Sequence, residues 1–186
     1  MNKKHIILTG FMGAGKSRVG RYLAQRLNFP FVDTDKEIEE KTGKKIKTIF
    51  ETEGEAAFRM LEKETIEIVC NDPLPHVISL GGGALGNNRT FRLVHRNGIV
   101  IYLKSAPQSI LQRVRYTDKR PLLDVGQQED RETALLQRIR ELLAKREPVY
   151  NKADIVVDRD NMEAEDVARE ILKRLNQFWK QNYATD

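Results

Sequence analysis

The chain has 186 residues, 40% of them hydrophobic, with 32 basic and 27 acidic side chains and a net charge of +5. This is apolar material for one core and a single domain over 1–186, and no run approaches the ~18 continuous apolar residues of a membrane span. A single cysteine, Cys70, excludes an intramolecular disulfide, and His5, His76 and His95 show no metal-ligand spacing. Met1-Asn2-Lys3-Lys4 leads directly into an apolar run with no leader pattern, so a cytoplasmic protein is expected.

His5-Ile6-Ile7-Leu8-Thr9 has the continuous apolar character of a buried strand. It is followed by Gly10-Phe11-Met12-Gly13-Ala14-Gly15-Lys16-Ser17, a complete G-x-x-x-x-G-K-[ST] loop, and by a helical pattern over 16–27 in which Val19, Leu23 and Leu27 recur. Strand, glycine loop and helix form the context in which backbone amides wrap an anion. Lys16 can then reach the β- and γ-phosphates, the Ser17 hydroxyl can ligate magnesium, and the helix adds its positive end. Binding of ATP or GTP is expected.

A strand at 30–33 runs into Asp33-Thr34-Asp35 and a helix at 35–41. Alternation along an extended segment would put Asp33 and Asp35 on one face. Asp33 would then support magnesium while Asp35 meets a substrate hydroxyl; the plainer alternative is that Asp35 caps the helix. Lys41, Lys44, Lys45 and Lys47 read as a solvated face. The helix expected at 54–69 carries Arg59 with Glu55 and Glu62 at i−4 and i+3. Those acids either orient the guanidinium toward a substrate carboxylate or make ordinary surface pairs. Cys70, after Ile66, Ile68 and Val69, reads as an inert packed thiol.

The strand at 77–80 ends in Gly81-Gly82-Gly83, where a ligand can approach the backbone closely. Helices at 88–95 and 106–115 flank a strand at 98–103. Residues 87–117 hold no Asp or Glu but six Lys and Arg, without the interleaved aromatics of a base-stacking platform. Anionic small molecules explain this charge better than nucleic acid. Thr117 to Asp130, polar and containing Pro121 and Gly126, reads as a mobile flap carrying Lys119 and Arg120 over the transferring phosphoryl group. A helix at 131–146, a strand at 153–157 and a helix at 163–180 complete an alternation that predicts a parallel sheet covered by helices. The last helix is core-facing through Val167, Ile171, Leu175 and Phe178.

Two further matches point elsewhere and fail on context. Gly81 to Gly86 satisfies G-x-G-x-x-G, but no acid follows about twenty residues on. Asn151-Lys152-Ala153-Asp154 matches a guanine-reading string, but it opens a strand instead of following one, and the chain contains no D-x-x-G. The residues alone leave open a hydroxyl-phosphorylating kinase, a gluconate or nucleoside-monophosphate kinase, or a regulator that binds nucleotide without transfer.

Taken in order, G-F-M-G-x-G-K-S, D-T-D, Phe58-Arg59, the triple glycine, R-P-L-L at 120–123 and R-x-P-x-Y from Arg146 to Tyr150 make the chain resemble the shikimate kinases nearly end to end. The resemblance implies a three-layer α/β P-loop kinase fold. It has a five-stranded parallel sheet in the order 2-3-1-4-5, helices on both faces, a shikimate-binding region at about 33–61 and a mobile lid at about 112–125. It implies transfer of phosphoryl from ATP, with Mg2+, to the 3-hydroxyl of shikimate in chorismate and aromatic amino-acid synthesis. The enzyme so implied is a monomer with no nucleic-acid or membrane partner. Carried over by position, the catalytic groups are Lys16, Asp35 and Arg120; the nucleotide groups are Gly13, Ala14, Gly15, Lys16, Ser17, Arg113 and Arg120; the metal groups are Ser17 and Asp33. Shikimate would meet Asp35, Arg59, Gly81, Gly82, Gly83 and Arg146, with the carboxylate on the two arginines. The adenine loop would fall at about Asp158 to Asn161, and Leu80 stands where many relatives have Thr.

Overall fold

The fold is that of a computed structural model, which describes residues 4–115, 121–123 and 130–183. Strands β1 (His5–Thr9), β2 (Phe31–Asp33), β3 (Val77–Ser79), β4 (Gly98–Lys104) and β5 (Ile155–Asp158) pair in parallel in the order β2-β3-β1-β4-β5, as expected. β1 lies at the centre, with Ile6 opposite Val77 on one side and Ile99 on the other. Every residue of β1 is buried, which is why this strand reads as an unbroken apolar run.

Successive strand residues point to opposite faces and so feed two separate layers of core. Ile6, Leu8, Ile99 and Ile101 pack beneath helices α1 (Lys16–Leu27) and α8 (Ala164–Tyr183), which contribute Val19, Leu23, Val167, Ile171 and Leu175. Ile7, Ile78 and Val100 face α4 (Gly54–Asn71) and α5 (Asn88–Asn97) through Ile66, Cys70 and Val94. Burial pushes the Cys70 thiol up to about 12, consistent with an inert packed residue.

A third cluster lies beyond the carboxyl ends of the strands, where Phe11, Met12 and Tyr102 meet α6 (Pro107–Val114) and α7 (Arg131–Tyr150). Pro107 opens α6 at its first turn, and Asp130 caps α7 by accepting from the Thr133 amide at 3.1 Å. α7 continues through Pro148 to Tyr150, four residues past the predicted end, so Arg146 lies within the helix instead of at its terminus.

Two differences from the predicted elements affect the site. Helix α2 (Thr34–Thr42) begins directly after β2, and its cap is Asp33, which accepts from the amides of Asp35 at 3.2 Å and Lys36 at 3.4 Å. Strand alternation therefore does not relate Asp33 to Asp35, and Asp35 is not the cap; it sits in the first helical turn. Between α2 and α4 lies an unpredicted helix, α3 (Ile46–Thr52), whose Ile49 packs with Ile38 and Phe58. The four lysines of this region are exposed and paired with acids, as Lys41 is with Glu64 at 2.8 Å and Lys45 with Glu39 at 2.9 Å. Of the lid expected at 112–125, residues 112–115 belong to the end of α6 and the segment after it, and Pro121–Leu123 form a 3-10 turn. The remaining residues, with Lys119 and Arg120, lie outside the described residues.

Candidate active site

β1 delivers the glycine loop to the centre of the sheet's carboxyl edge, the position where open α/β sheets hold ligands. Gly13 and Gly15 have φ of 82° and 84°, so the chain can fold tightly there only without a side chain. A Cβ on Gly13 would also meet the Val114 side chain at 2.5 Å. Lys16 is only 8% exposed, and its ammonium donates to the carbonyls of Gly10 at 2.9 Å and Phe11 at 3.1 Å. The positive charge is thus folded back across the mouth of the loop. The Ala14 amide closes on the Phe11 carbonyl at 3.1 Å.

The Ser17 hydroxyl donates to Asp33 Oδ2 in a very short contact. These two oxygens suit a hard divalent cation that keeps most of its water and takes further ligands from phosphate. No cluster of three or more His, Cys, Asp or Glu suited to a metal occurs among the described residues.

Beside the loop lies a second cavity, lined by Asp35, Arg59, Glu62, the triple glycine and Arg146. The three glycines each have a specific neighbour. A Cβ on Gly81 would collide with Glu62 Oε1 and lie 2.8 Å from Asp35 Oδ1. On Gly82 it would come within 3.2 Å of the Met12 amide and 3.6 Å of an Arg146 nitrogen. On Gly83 it would meet the Arg59 guanidinium at 2.6 to 2.9 Å. The run therefore lets two carboxylates, two guanidiniums and the phosphate loop converge on one strip of backbone.

Arg59 is held in a fork of acids: Glu55 Oε1 accepts from Nε at 3.2 Å and Nη2 at 2.9 Å, and Glu62 Oε2 accepts from Nη1 at 2.7 Å. Glu62 is 3% exposed, and its other oxygen, Oε1, is buried with no hydrogen-bond partner. Burial raises its pKa and nearby Asp35 adds to this, while Arg59 pulls it back. Sequence spacing identified Glu62 only as an ion-pair partner; its second oxygen facing the cavity needs the tertiary structure to be seen.

Arg146 comes from the opposite side. Its Cζ lies 5.7 Å from the centre of the Phe11 ring, and its Nη1 is buried with no hydrogen-bond partner. One turn further on, the buried Tyr150 hydroxyl donates to the Gly82 carbonyl in a very short contact, tying α7 to the glycine strip. Burial pushes that hydroxyl up to about 12. Leu80 is buried, and hydrogen bonding at this corner comes from Thr34, whose hydroxyl donates to the Ser79 carbonyl at 3.2 Å and accepts from the Gly81 amide at 3.1 Å.

Asp33 and Asp35, although not related by strand alternation, both line a cavity with Lys16 and Ser17. The cap geometry explains this: Asp33 turns back over the helix start it caps, and Asp35 follows in the first turn. Arg113 stands apart from the cavity that holds Arg59 and Arg146, donating to Ser105 Oγ at 3.2 Å and Asp160 at 3.4 Å on the β5 side of the loop. Arg120 lies outside the described residues.

Residues 12–176 match the family model described as shikimate kinase. A shikimate kinase of Chlorobaculum tepidum is 45% identical over 183 residues, covering 95% of both chains. One from Chlorobaculum parvum is 44% identical over 172 residues, 91% of both. Among solved structures, shikimate kinase from Acinetobacter baumannii in complex with shikimate superimposes with a TM-score of 0.85 at 37% identity, covering 94% of both chains.

Proposed function

The chain belongs to the shikimate kinase family, and we propose that its site transfers the γ-phosphoryl group of ATP to the 3-hydroxyl of shikimate, giving shikimate 3-phosphate and ADP. The observation that carries this reading is the shared strip at Gly81 to Gly83, which borders the phosphate loop on one side and the paired arginines and carboxylates on the other. An acceptor lying on it is within reach of a triphosphate in the loop.

The shikimate carboxylate lies between Arg59 and Arg146, which approach from different helices and offer charge-assisted donors. Glu55 and Glu62 hold Arg59 ready, so little side-chain entropy is lost on binding. Asp35 accepts a hydrogen bond from the 3-hydroxyl and takes its proton as that oxygen bonds to the γ-phosphorus. The bond to the β–γ bridging oxygen breaks and ADP leaves. Amides of Gly13 to Ser17 and the Lys16 ammonium balance charge on the phosphates, with Arg113 on the nucleotide side and Arg120 arriving from the lid segment.

Ser17 and Asp33 would hold Mg2+ at the phosphate loop. The ion, when bound, offsets phosphate charge and fixes the triphosphate for in-line transfer. The domain acts alone, as a cytoplasmic monomer without nucleic-acid or membrane partners. No described helix is long and apolar enough to cross a membrane, and Met60, Ile68 and Leu74 are the large apolar side chains most exposed among the described residues.

ADP release from ATP, coupled to a spectroscopic readout, tests the acceptor across shikimate, quinate, gluconate, AMP and no addition. Stimulation by shikimate alone is expected. Stimulation by another acceptor would keep the kinase and discard the substrate, and flat turnover with nucleotide bound would discard the kinase.

A further inference from the structure

The triple glycine is the backbone of the site that side chains restrict least, so the direction of each of its carbonyls has to be set by a bond. Two are set locally: the Ala84 amide donates to the Gly81 carbonyl at 3.2 Å, and the Gly86 amide to the Gly83 carbonyl at 3.0 Å. The Gly81 amide is held by the Thr34 hydroxyl at 3.1 Å. The middle carbonyl, that of Gly82, is held from 68 residues away, by the hydroxyl of Tyr150. A trans peptide is planar, so this one bond also sets where the Gly83 amide points.

Tyr150 is 2% exposed, and its ring lies on that of Tyr102 with centroids 5.0 Å apart. Phenylalanine would fill this space as well, and a buried hydroxyl costs free energy unless it is bonded. Burial holds the hydroxyl in its protonated, donating form far above neutral pH. The residue also lies one turn beyond Arg146 on α7. Arg146 Nη1 would stand 3.6 Å from a Cβ on Gly82, whose other near neighbours are the Met12 amide at 3.2 Å and the Gly10 carbonyl at 3.5 Å. Gly82 is thus pressed between the phosphate loop and the turn of α7 that carries Arg146, and the Tyr150 hydroxyl bond sets their spacing.

We infer that Tyr150 is a positioning residue for the acceptor: its hydroxyl locks the Gly82–Gly83 peptide to the α7 turn bearing Arg146, so that glycine strip and guanidinium present one fixed face to the acceptor. The inference rests on the kinase reading above and adds to it a residue that acts through the strip without touching either substrate.

Tyr150→Phe removes the oxygen and keeps the ring. Steady-state ADP release, with shikimate and ATP varied in turn, should show a shikimate KM raised about fivefold or more, with kcat and the ATP KM within about twofold of wild type. Isothermal titration of shikimate into the ADP-saturated protein, well below its melting temperature, should show the same loss without turnover, and the bound ADP supports the fold of the variant. Tyr102→Phe removes the neighbouring buried hydroxyl, which lies beside Glu147 instead of the strip, and should leave the shikimate KM within about twofold of wild type. A shikimate KM within about twofold of wild type in Tyr150→Phe would overturn the inference. So would an equal rise in the ATP KM, or an equal effect of Tyr102→Phe, since either marks a general loosening of the fold. Should Tyr150→Phe not fold even with ADP, Tyr150→His, which keeps a ring and a donor of shorter reach, decides: a raised shikimate KM beside an unchanged ATP KM supports the role, and an unchanged shikimate KM refutes it. A wild-type protein whose ADP release shikimate did not stimulate would instead overturn the kinase reading, and this inference with it.

Discussion

Gly83→Ala isolates the role of Arg59 without touching Arg59. Gly83 has φ of −110° and ψ of −4°, which alanine adopts without strain, so the backbone itself does not resist the substitution. The added methyl is the whole perturbation, and it would lie 2.6 Å from Nη2, 2.7 Å from Nη1 and 2.9 Å from Cζ of Arg59. Real carbon contacts need several tenths of an ångström more, so the guanidinium must move. It cannot move freely, because Glu55 and Glu62 bond three of its nitrogens. Displacement costs at least one charge-assisted hydrogen bond to the acceptor carboxylate, about 1.5–3 kcal/mol, or about ten- to a hundredfold in shikimate KM. The assay is steady-state ADP release with shikimate varied at saturating ATP, then ATP varied at saturating shikimate. The expected result is a raised shikimate KM, an ATP KM within about twofold of wild type, and a melting temperature close to wild type. An unchanged shikimate KM in a folded Gly83→Ala protein would refute the placement of the carboxylate against Arg59.

Lys16→Ala should lower kcat by about a thousandfold or more while leaving shikimate binding intact, measured by turnover and by titration of shikimate into the protein. Asp33→Asn preserves the cap on α2, since asparagine caps as well as aspartate, so its melting temperature should stay near wild type while the Mg2+ concentration for half-maximal rate rises; an unchanged Mg2+ requirement would remove Asp33 from the metal site. His5 lies in the core as the neutral form, its Nε2 donating to the Cys70 carbonyl and its Nδ1 accepting from the His76 amide. Burial lowers its pKa below the usual 6.5, so the unfolded chain takes up the proton first. Its contribution is complete above pH 6.5 and is lost as pH falls toward the folded pKa, by up to ~1.4 kcal/mol per unit. Thermal melts between pH 7.5 and 5 should fall more steeply for wild type than for His5→Gln, and equal slopes would contradict this.

The sheet was legible because strands buried on both faces appear as short unbroken apolar runs, as in Ile6 to Leu8 and Ile99 to Leu103. The phosphate loop was legible because its glycines answer to backbone geometry that the motif itself encodes. Helix α3 was not, since seven residues carry little intrinsic helicity and Ile49 is held by Ile38 and Phe58 from neighbouring helices. The end of α7 was not legible: the helix runs through Pro148 to Tyr150, four residues past the predicted end, which sets Arg146 inside it with its guanidinium over the Phe11 ring. Asp33 and Asp35 do line one cavity, but through a cap and a first helical turn in place of the strand alternation that the spacing suggested.

The most direct test is to follow equimolar ATP and shikimate with Mg2+ and the protein by phosphorus NMR, and to identify the product. The account predicts that the γ-phosphate resonance is replaced by those of ADP and a single new phosphomonoester on the 3-hydroxyl of shikimate, with no change when shikimate is omitted. ATP that persists beside shikimate, or a phosphate carried on another oxygen, would contradict it.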